Sequence, residues 1–462
     1  MSLKKRNMLL IIPHPDDEML VGGSVLYQFA QNKNWETYVL YTTEGAALYE
    51  RPEVRMKEAI RALKVMGIPE SQIIFLGYGN EWQGQYNIYN APEDLELVSL
   101  NGKKQTSALK SHPEYCFYKA GEHHKFTRYN YKKDLQDVIQ AIKPEIIIAV
   151  DMDDHQEHMA TSLFLDECLH DIIKMEDSYS PLLLKKFAYE GLWKGPDDYF
   201  NIPRIPTLNG ENEENRTRNP AFLWNERIRF EVSEKCNTLF LCNNVLNKAI
   251  KKHISQTGWL CATRLINSDI VYWYRRTDNL ALKAGIDVSS GDGTFLNDFK
   301  MIDTCDVRNK NTIWENCSWY PSKYDKEKTV NISWKEKKKV KEIVIYESPE
   351  SDAGKILNLH IELDDGHEFN TGELKHKEIK NVFSLQEEHH IKGLKIQMTQ
   401  TEGKGGISEI EIYSDPFDLA NYVLPIKEIQ KDPFETNYLI IKKVINFFES
   451  KLFHLKARIC LK

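Results

Sequence analysis

The chain lacks most features that would place its chemistry at a glance. Its 8 cysteines (Cys116, Cys168, Cys236, Cys242, Cys261, Cys305, Cys317 and Cys460) are scattered and contain no Cys-x-x-Cys. That argues against a zinc ribbon or a disulfide framework and for reduced structural thiols. No apolar run reaches the roughly 18 residues needed to span a bilayer. Positive charge is not in excess: 61 Lys+Arg stand against 68 Asp+Glu, a formal net charge of −7. A general polyanion binder is thereby excluded, and no nucleic-acid partner is expected. Internal repeats and low-complexity tracts are missing too. The N-terminal basic residues Lys4, Lys5 and Arg6 precede only the short apolar stretch Met8–Ile12. This is shorter than the roughly 7–15 residues of a secretory h-region, and no small-residue cleavage site follows. A buried first strand is expected instead, and with it a cytoplasmic protein.

What is present is globular: 28% charged and 41% hydrophobic residues in a chain of 462. One core rarely grows past about 250–300 residues, so two or more domains are expected. The first half alternates strand and helix patterns. Met8–Ile12, Thr37–Thr43, Ile73–Leu76 and Glu145–Val150 read as strands. Gly23–Ala30, Glu53–Met66, Tyr131–Ile142 and His158–Ile173 read as helices. This order predicts an α/β fold, a Rossmann-like parallel sheet with helices on both faces. Residues 80–130 break the rhythm, as a lid, a substrate wall or an insertion would. After about residue 300, short alternating strands separated by turns such as Asp364-Asp365-Gly366 predict an all-β sandwich. The expected domains are 1–285 and 300–414, with the boundary near Gly285–Phe299, followed by a tail at 415–462. Within Asn437–Lys462 six basic residues face one acidic residue, and apolar positions recur as in a basic amphipathic helix. Such a helix could lie on an anionic membrane surface, placing the protein at the inner membrane face, or pack its apolar stripe on the body.

The chemistry is concentrated in two segments. Pro13-His14-Pro15-Asp16-Asp17-Glu18 begins where the first strand ends, the place where open parallel sheets bind ligands. One imidazole and three carboxylates so close repel or desolvate badly unless a cation sits among them. Asp151-Met152-Asp153-Asp154-His155-Gln156-Glu157-His158 likewise follows an apolar strand and opens a helix. Converging on one sheet edge, the two supply His14, Asp17 and His158 as metal ligands. Two His and one carboxylate with an open position suit catalytic Zn2+, and equally non-haem Fe2+. Asp16 remains to take a proton from water and His155 to orient or protonate the reacting group, the machinery of hydrolysis. The competing reading is that the histidines are loop residues and the aspartates helix caps.

His-Pro-Asp-Asp-Glu after the first strand, followed by His-x-x-His opening a later helix, resembles the PIG-L/LmbE-like deacetylases. Arg55-x-x-Glu58, Met66-Gly67, Phe75-Leu76-Gly77-Tyr78, Lys248–Gln256 and Trp273-Tyr274-Arg275-Arg276 add to the likeness, which covers roughly residues 5–282. It implies a zinc-dependent N-deacetylase acting on an N-acetylated amino sugar of GlcNAc type. His14, Asp17 and His158 would be the ligands, Asp16 the general base, and His155 the oxyanion stabiliser and proton donor. Arg55, Asn80 and His253 would be substrate-binding. Two positions depart from the family: Glu157 stands where Asp usually precedes the last His, and Asn80 where an Asp is common. A helix salt bridge of Arg55 to Glu58 and a structural role for His253 are the plainer alternatives. Residues 301–414 resemble a discoidin-like (factor 5/8 C-type) sandwich through Trp314, Trp319, Tyr320, Lys341–Tyr346 and Gly406–Tyr413. Such modules often bind glycan, although these Trp could equally be core. The rivals to a deacetylase are an amidase cleaving another acyl group from an amino-sugar conjugate and a non-catalytic glycan-binding protein with a deacetylase-like fold.

Overall fold

Strand β1 (Arg6–Ile12) is apolar on both sides because both of its faces are covered. Met8, Leu10 and Ile12 join one core with α1 (Gly23–Gln31) and α2 (Pro52–Met66). Leu9 and Ile11 join a second core with α4 (Arg128–Ile142) and α5 (Gln156–Met175). Successive side chains of a strand point to opposite faces, so an unbroken apolar run is what a sheet between two helical layers requires. The computed structural model describes residues 5–46, 51–151, 153, 155–176, 178–188, 226–238, 242–258, 269–300, 317–350, 352–375, 380–429 and 451.

The first sheet runs β3-β2-β1-β4-β5-β7-β6. Its members besides β1 are β2 (Trp35–Thr43), β3 (Ile73–Tyr78), β4 (Ile146–Val150), β5 (Leu182–Lys186), β6 (Ile228–Glu231) and β7 (Asp269–Arg275). β1 to β5 are mutually parallel, whereas β7 runs antiparallel to both β5 and β6. The expected Rossmann-like sheet is therefore extended at one edge by two antiparallel strands. After β3 the chain crosses to the other side of β1, so β1 and β4 lie side by side, Met8 beside Ile146 and Ile11 beside Ala149. This reversal is the topological switch point of a doubly wound sheet, where ligands bind at the carboxyl ends of the strands. Both chemistry-bearing segments leave the sheet there.

Residues 80–130 form an insertion packed on the sheet. Ile88, Tyr89, Leu97 and Phe126 are buried in the same core as α4 and α5. Regular structure in it is sparse: the short α3 (Tyr115–Ala120) and isolated bridges such as Trp82 with Ser99 and Gln105 with Lys125. Gly77, at φ +74°, lets the insertion approach, for a Cβ there would lie 2.5 Å from the Ser107 carbonyl oxygen.

The second sheet is antiparallel and contains β8 (Gly285–Val288), β9 (Thr329–Glu347), β10 (Lys355–Leu363), β11 (Glu368–Asn370), β12 (Lys380–Glu402) and β13 (Ile407–Tyr413). The spans expected as separate strands at Val330–Trp334 and Val340–Tyr346 are one long strand. It pairs with β12 through two register shifts, Ser384/His389 and Ile391/Gly393. Such irregularities bend a ladder. β10 and β8 attach on one side of the shifts and β13 on the other. Trp319 is buried in this core and donates to the Ser290 carbonyl, so it is a framework residue. Trp314 and the expected helix at 437–462 lie outside the described residues, Lys451 apart. Among the described residues no helix is long and apolar enough to cross a membrane.

The two sheets share one interior. Val344, Tyr346 and Tyr413 belong to the same core as Trp273 and Phe187. Arg275 pairs with Glu411 and lies 4.5 Å from the Phe299 ring centre, while Arg276 stacks 3.6 Å over Tyr413. After β13 the chain returns to the first sheet: Phe417 stacks on Tyr274 at 3.6 Å, and the Ile429 amide donates to the Arg229 carbonyl. The Arg275 and Glu411 side chains are each 4% exposed. Removing one partner of such a pair leaves a buried charge, a loss of about 3–5 kcal/mol. Glu411→Ala should therefore lower the unfolding free energy by about that amount in urea titration. The apolar double variant Arg275→Met with Glu411→Leu should lose clearly less.

Candidate metal centre

The His14 loop is shaped by its own hydrogen bonds and by a strained residue. The Asp17 amide donates to the His14 carbonyl at 3.2 Å, and the Asp16 amide to Glu18 Oε2 at 2.9 Å. Asp16 takes φ +141°, a region that costs a non-glycine residue about 1–3 kcal/mol. Arg55, buried on α2, braces this turn. It donates to Asp16 Oδ1 at 3.1 Å, to the Pro15 carbonyl at 3.2 Å, and to the Gly45 carbonyl. Gly45 is required for that approach: a Cβ there would lie 2.5 Å from Pro15 Cδ.

Three donor atoms converge inside the loop. Asp17 Oδ2 is 3.1 Å from His14 Nδ1 and 3.2 Å from His158 Nε2, and the two nitrogens are 3.2 Å apart. All three side chains are essentially buried. A tetrahedral ion with ligand bonds of about 2.0–2.1 Å separates its ligands by about 3.3 Å, so the donor set fits. The buried Asp17 Oδ1 has no hydrogen-bond partner, as expected of a carboxylate meant for a ligand outside the protein. The His155 ring lies 4.5 Å from His14 and 4.8 Å from His158, and ligand atoms of these three histidines all fall within 4.8 Å of one another. Asp17 makes the tighter set with His14 and His158.

Each imidazole has an oxygen partner on its other side. Asn80 Oδ1 lies 2.8 Å from His14 Nε2 and thereby holds Nδ1 toward Asp17. Asp153 lies 2.8 Å from His158 Nδ1 through both oxygens, and accepts from the His155 and Ala188 amides. Glu157 Oε2 is 2.9 Å from His155 Nδ1, while its Oε1 accepts from the Glu81 amide at 2.8 Å. His253 pairs with Glu18 at 2.5 Å. Glu58 accepts from the Ser255 hydroxyl at 2.6 Å. Partners of this kind fix tautomer and ring orientation in metal sites.

The electrostatics follow. Burial, then the neighbouring His155, lower the His14 pKa. Burial would lower that of His158, but Asp153 and Asp17 outweigh it and hold it well above the usual value. Burial would raise Asp17, yet His158 and His14 keep it well below. Asp16 is lifted to about 7 by burial, against the pull of Arg55. Burial opposes the ionisation of Glu157, but His155 and His14 bring it to about 2.

The structure thus gathers His14, Asp16, Asp17, Arg55, Asn80, His155 and His158 around one point, with His253 behind Glu18. Asn80 stands against His14 and Arg55 inside the loop. The role of Asp153 is not apparent from the sequence. A carboxylate between a strand end and a helix-opening His-x-x-His is the feature that marks it.

Fold and site define an α/β domain with a metal-type centre at its switch point, joined to an antiparallel β domain. Residues 9–169 match the family described as PIG-L: GlcNAc-PI de-N-acetylase, so this part of the chain carries a PIG-L domain. Residues 279–413 match a domain of unknown function, DUF7402. No curated protein matches the chain. Similar solved structures include the N,N'-diacetylchitobiose deacetylase from Pyrococcus horikoshii: 13% identity, 54% of this chain and 70% of that one covered, TM-score 0.30. Others are the family 32 carbohydrate-binding module of C. perfringens NanJ (16%, 28% and 92%, TM-score 0.21) and a Streptococcus pneumoniae fucose-binding module (17%, 30% and 98%, TM-score 0.23).

The contacts around the centre can be tested through metal affinity. Asp153→Asn should weaken Zn2+ binding by about 10–100-fold in competition with a chromogenic chelator. An unchanged affinity would show that Asp153 does not hold His158 for a metal.

Proposed function

We propose that the protein is a metal-dependent hydrolase that removes the N-acetyl group from an N-acetylated amino sugar in a GlcNAc-type conjugate. The observation that carries this reading is the buried convergence of His14 Nδ1, Asp17 Oδ2 and His158 Nε2 at 3.1–3.2 Å within a PIG-L domain, with Asp16 beside it. A divalent cation held by these residues, Zn2+ by donor type with Fe2+ next, would polarise the amide carbonyl and acidify water when bound.

The chain's own groups do the rest. Asp16, aimed by Arg55 and by its strained backbone, takes a proton from the attacking water. The water oxygen bonds to the acetyl carbon and the C–N bond breaks. His155, held by Glu157, donates a proton to the departing nitrogen. The products are acetate and a free amino sugar. His14 is kept in one tautomer by Asn80, so its Nδ1 lone pair faces the centre.

In the second domain, glycan binding would fall to a surface other than Trp319, which is buried. Phe369 and Phe383 line an open groove of about 750 Å³ together with His367 and His389. Half-buried rings beside polar groups suit a sugar face.

The test is acetate release from a panel of free, nucleotide-linked and lipid-linked GlcNAc and GalNAc. Asp16→Ala should lower kcat by about 10²–10⁴-fold with metal content unchanged. Activity surviving within about tenfold would remove Asp16 as the base. His158→Ala should lose the metal, and full metal retention would overturn the ligand set. Tight glycan binding without turnover at full metal loading would favour the non-catalytic reading.

A further inference from the structure

Cys116 on α3, His124 in the loop after it and Asp134 on α4 bring one donor atom each to within 4.8 Å of one another. None belongs to the centre built by His14 and His158, and the proposed hydrolysis uses none of them. Cys116 and Asp134 are buried, at 3% and 2% exposure. The supporting contacts already orient the donors. Asp134 Oδ2 accepts from the Tyr78 hydroxyl at 2.8 Å and lies 2.9 Å from His124 Nδ1. Thr106 Oγ1 is 3.3 Å from Cys116 Sγ and accepts from the His124 amide at 2.9 Å. Glu114, also buried, stands beside this group, 3.4 Å from Thr106 Oγ1, and pairs with His123.

We propose that Cys116, His124 and Asp134 form a second divalent-cation site, of zinc type, that staples the 80–130 insertion to α4. A thiolate, an imidazole and a carboxylate form a donor set that favours zinc over harder cations, and their two negative charges match one divalent ion. Ligand bonds of about 2.0–2.3 Å require donor separations of about 3.3–3.6 Å, so side-chain rotations of an ångström or so close the set. The site also meets a structural need. The insertion carries almost no regular secondary structure between Gly79 and Glu114, and a metal linking it to a helix contributes folding energy directly. The inference is independent of the reaction assigned to the first centre.

Cobalt(II) loading of the full chain tests it, because only a thiolate ligand gives charge-transfer absorption in the near ultraviolet and the first centre has no cysteine. The expected result is two bound equivalents with thiolate absorption. Cys116→Ser should lose that absorption and one equivalent while the other stays bound. Asp134→Asn, which keeps the thiol, should weaken cobalt binding at the absorbing site by about tenfold or more, and decides the matter if Cys116→Ser does not fold. One equivalent without thiolate absorption, absorption that persists in Cys116→Ser, or affinity unchanged in Asp134→Asn would each overturn the site and leave a hydrogen-bonded cluster.

Discussion

The α/β half of this protein is organised around the burial of one carboxylate, Asp17, between two imidazoles. A buried anion is tolerated only where opposite charge and hydrogen bonds surround it. Asp17 Oδ2 meets His14 Nδ1, His158 Nε2 and the His14 amide, and its other oxygen has no hydrogen-bond partner. The adjacency of β1 and β4 puts these groups in range, although 144 residues separate the two histidines. Had the chain after β3 not crossed to the other side of β1, the two segments would leave the sheet on separate strands with others between them.

The surroundings of that carboxylate are rigid by construction. Asp16 is held in a backbone region that few residues adopt, and it stays there because Arg55 bonds both its side chain and the preceding carbonyl. Strain of this kind persists only when neighbouring structure over-determines it. Oxygen partners on the far side of each imidazole, Asn80, Asp153 and Glu157, come from the loop after β3, the loop after β4 and the first turn of α5. The geometry of the centre is thus spread over the whole carboxyl edge of the sheet.

Much of the fold was legible from pattern. The apolar runs in β1 and β4, the helical periodicities of α2, α4 and α5, and the alternation after residue 300 each report a local burial requirement. Less legible were the antiparallel β7 and β6, since a strand's direction is set by the neighbour it finds. The length of β9 also escaped, because the polar run Lys335-Glu336-Lys337-Lys338 interrupts the apolar alternation, although β9 pairs with β12 on both sides of it, over Thr329–Ser333 and again from Lys338. At the site, His14, Asp16, Asp17, His155 and His158 stood out by residue type and by position at strand ends. Asp153 did not, because it is one of three aspartates in its segment and each looks like a cap until its contacts are known. Asn80 and Arg55 were picked out by resemblance, but which atoms they face could not be read from their order in the chain.

The sequence by itself determined which residues could carry the chemistry and that two separate strand ends would present them. Those properties live in residue type and in periodicities of two and 3.6, which are local. Only the tertiary structure decided that Asp17 lies between two histidines, that Arg55 turns inward to brace Asp16, and that Arg275 and Arg276 join the two sheets. Each of these needs a contact between residues far apart in the chain. Such contacts are settled by strand order and by the packing of two cores, which no local pattern records.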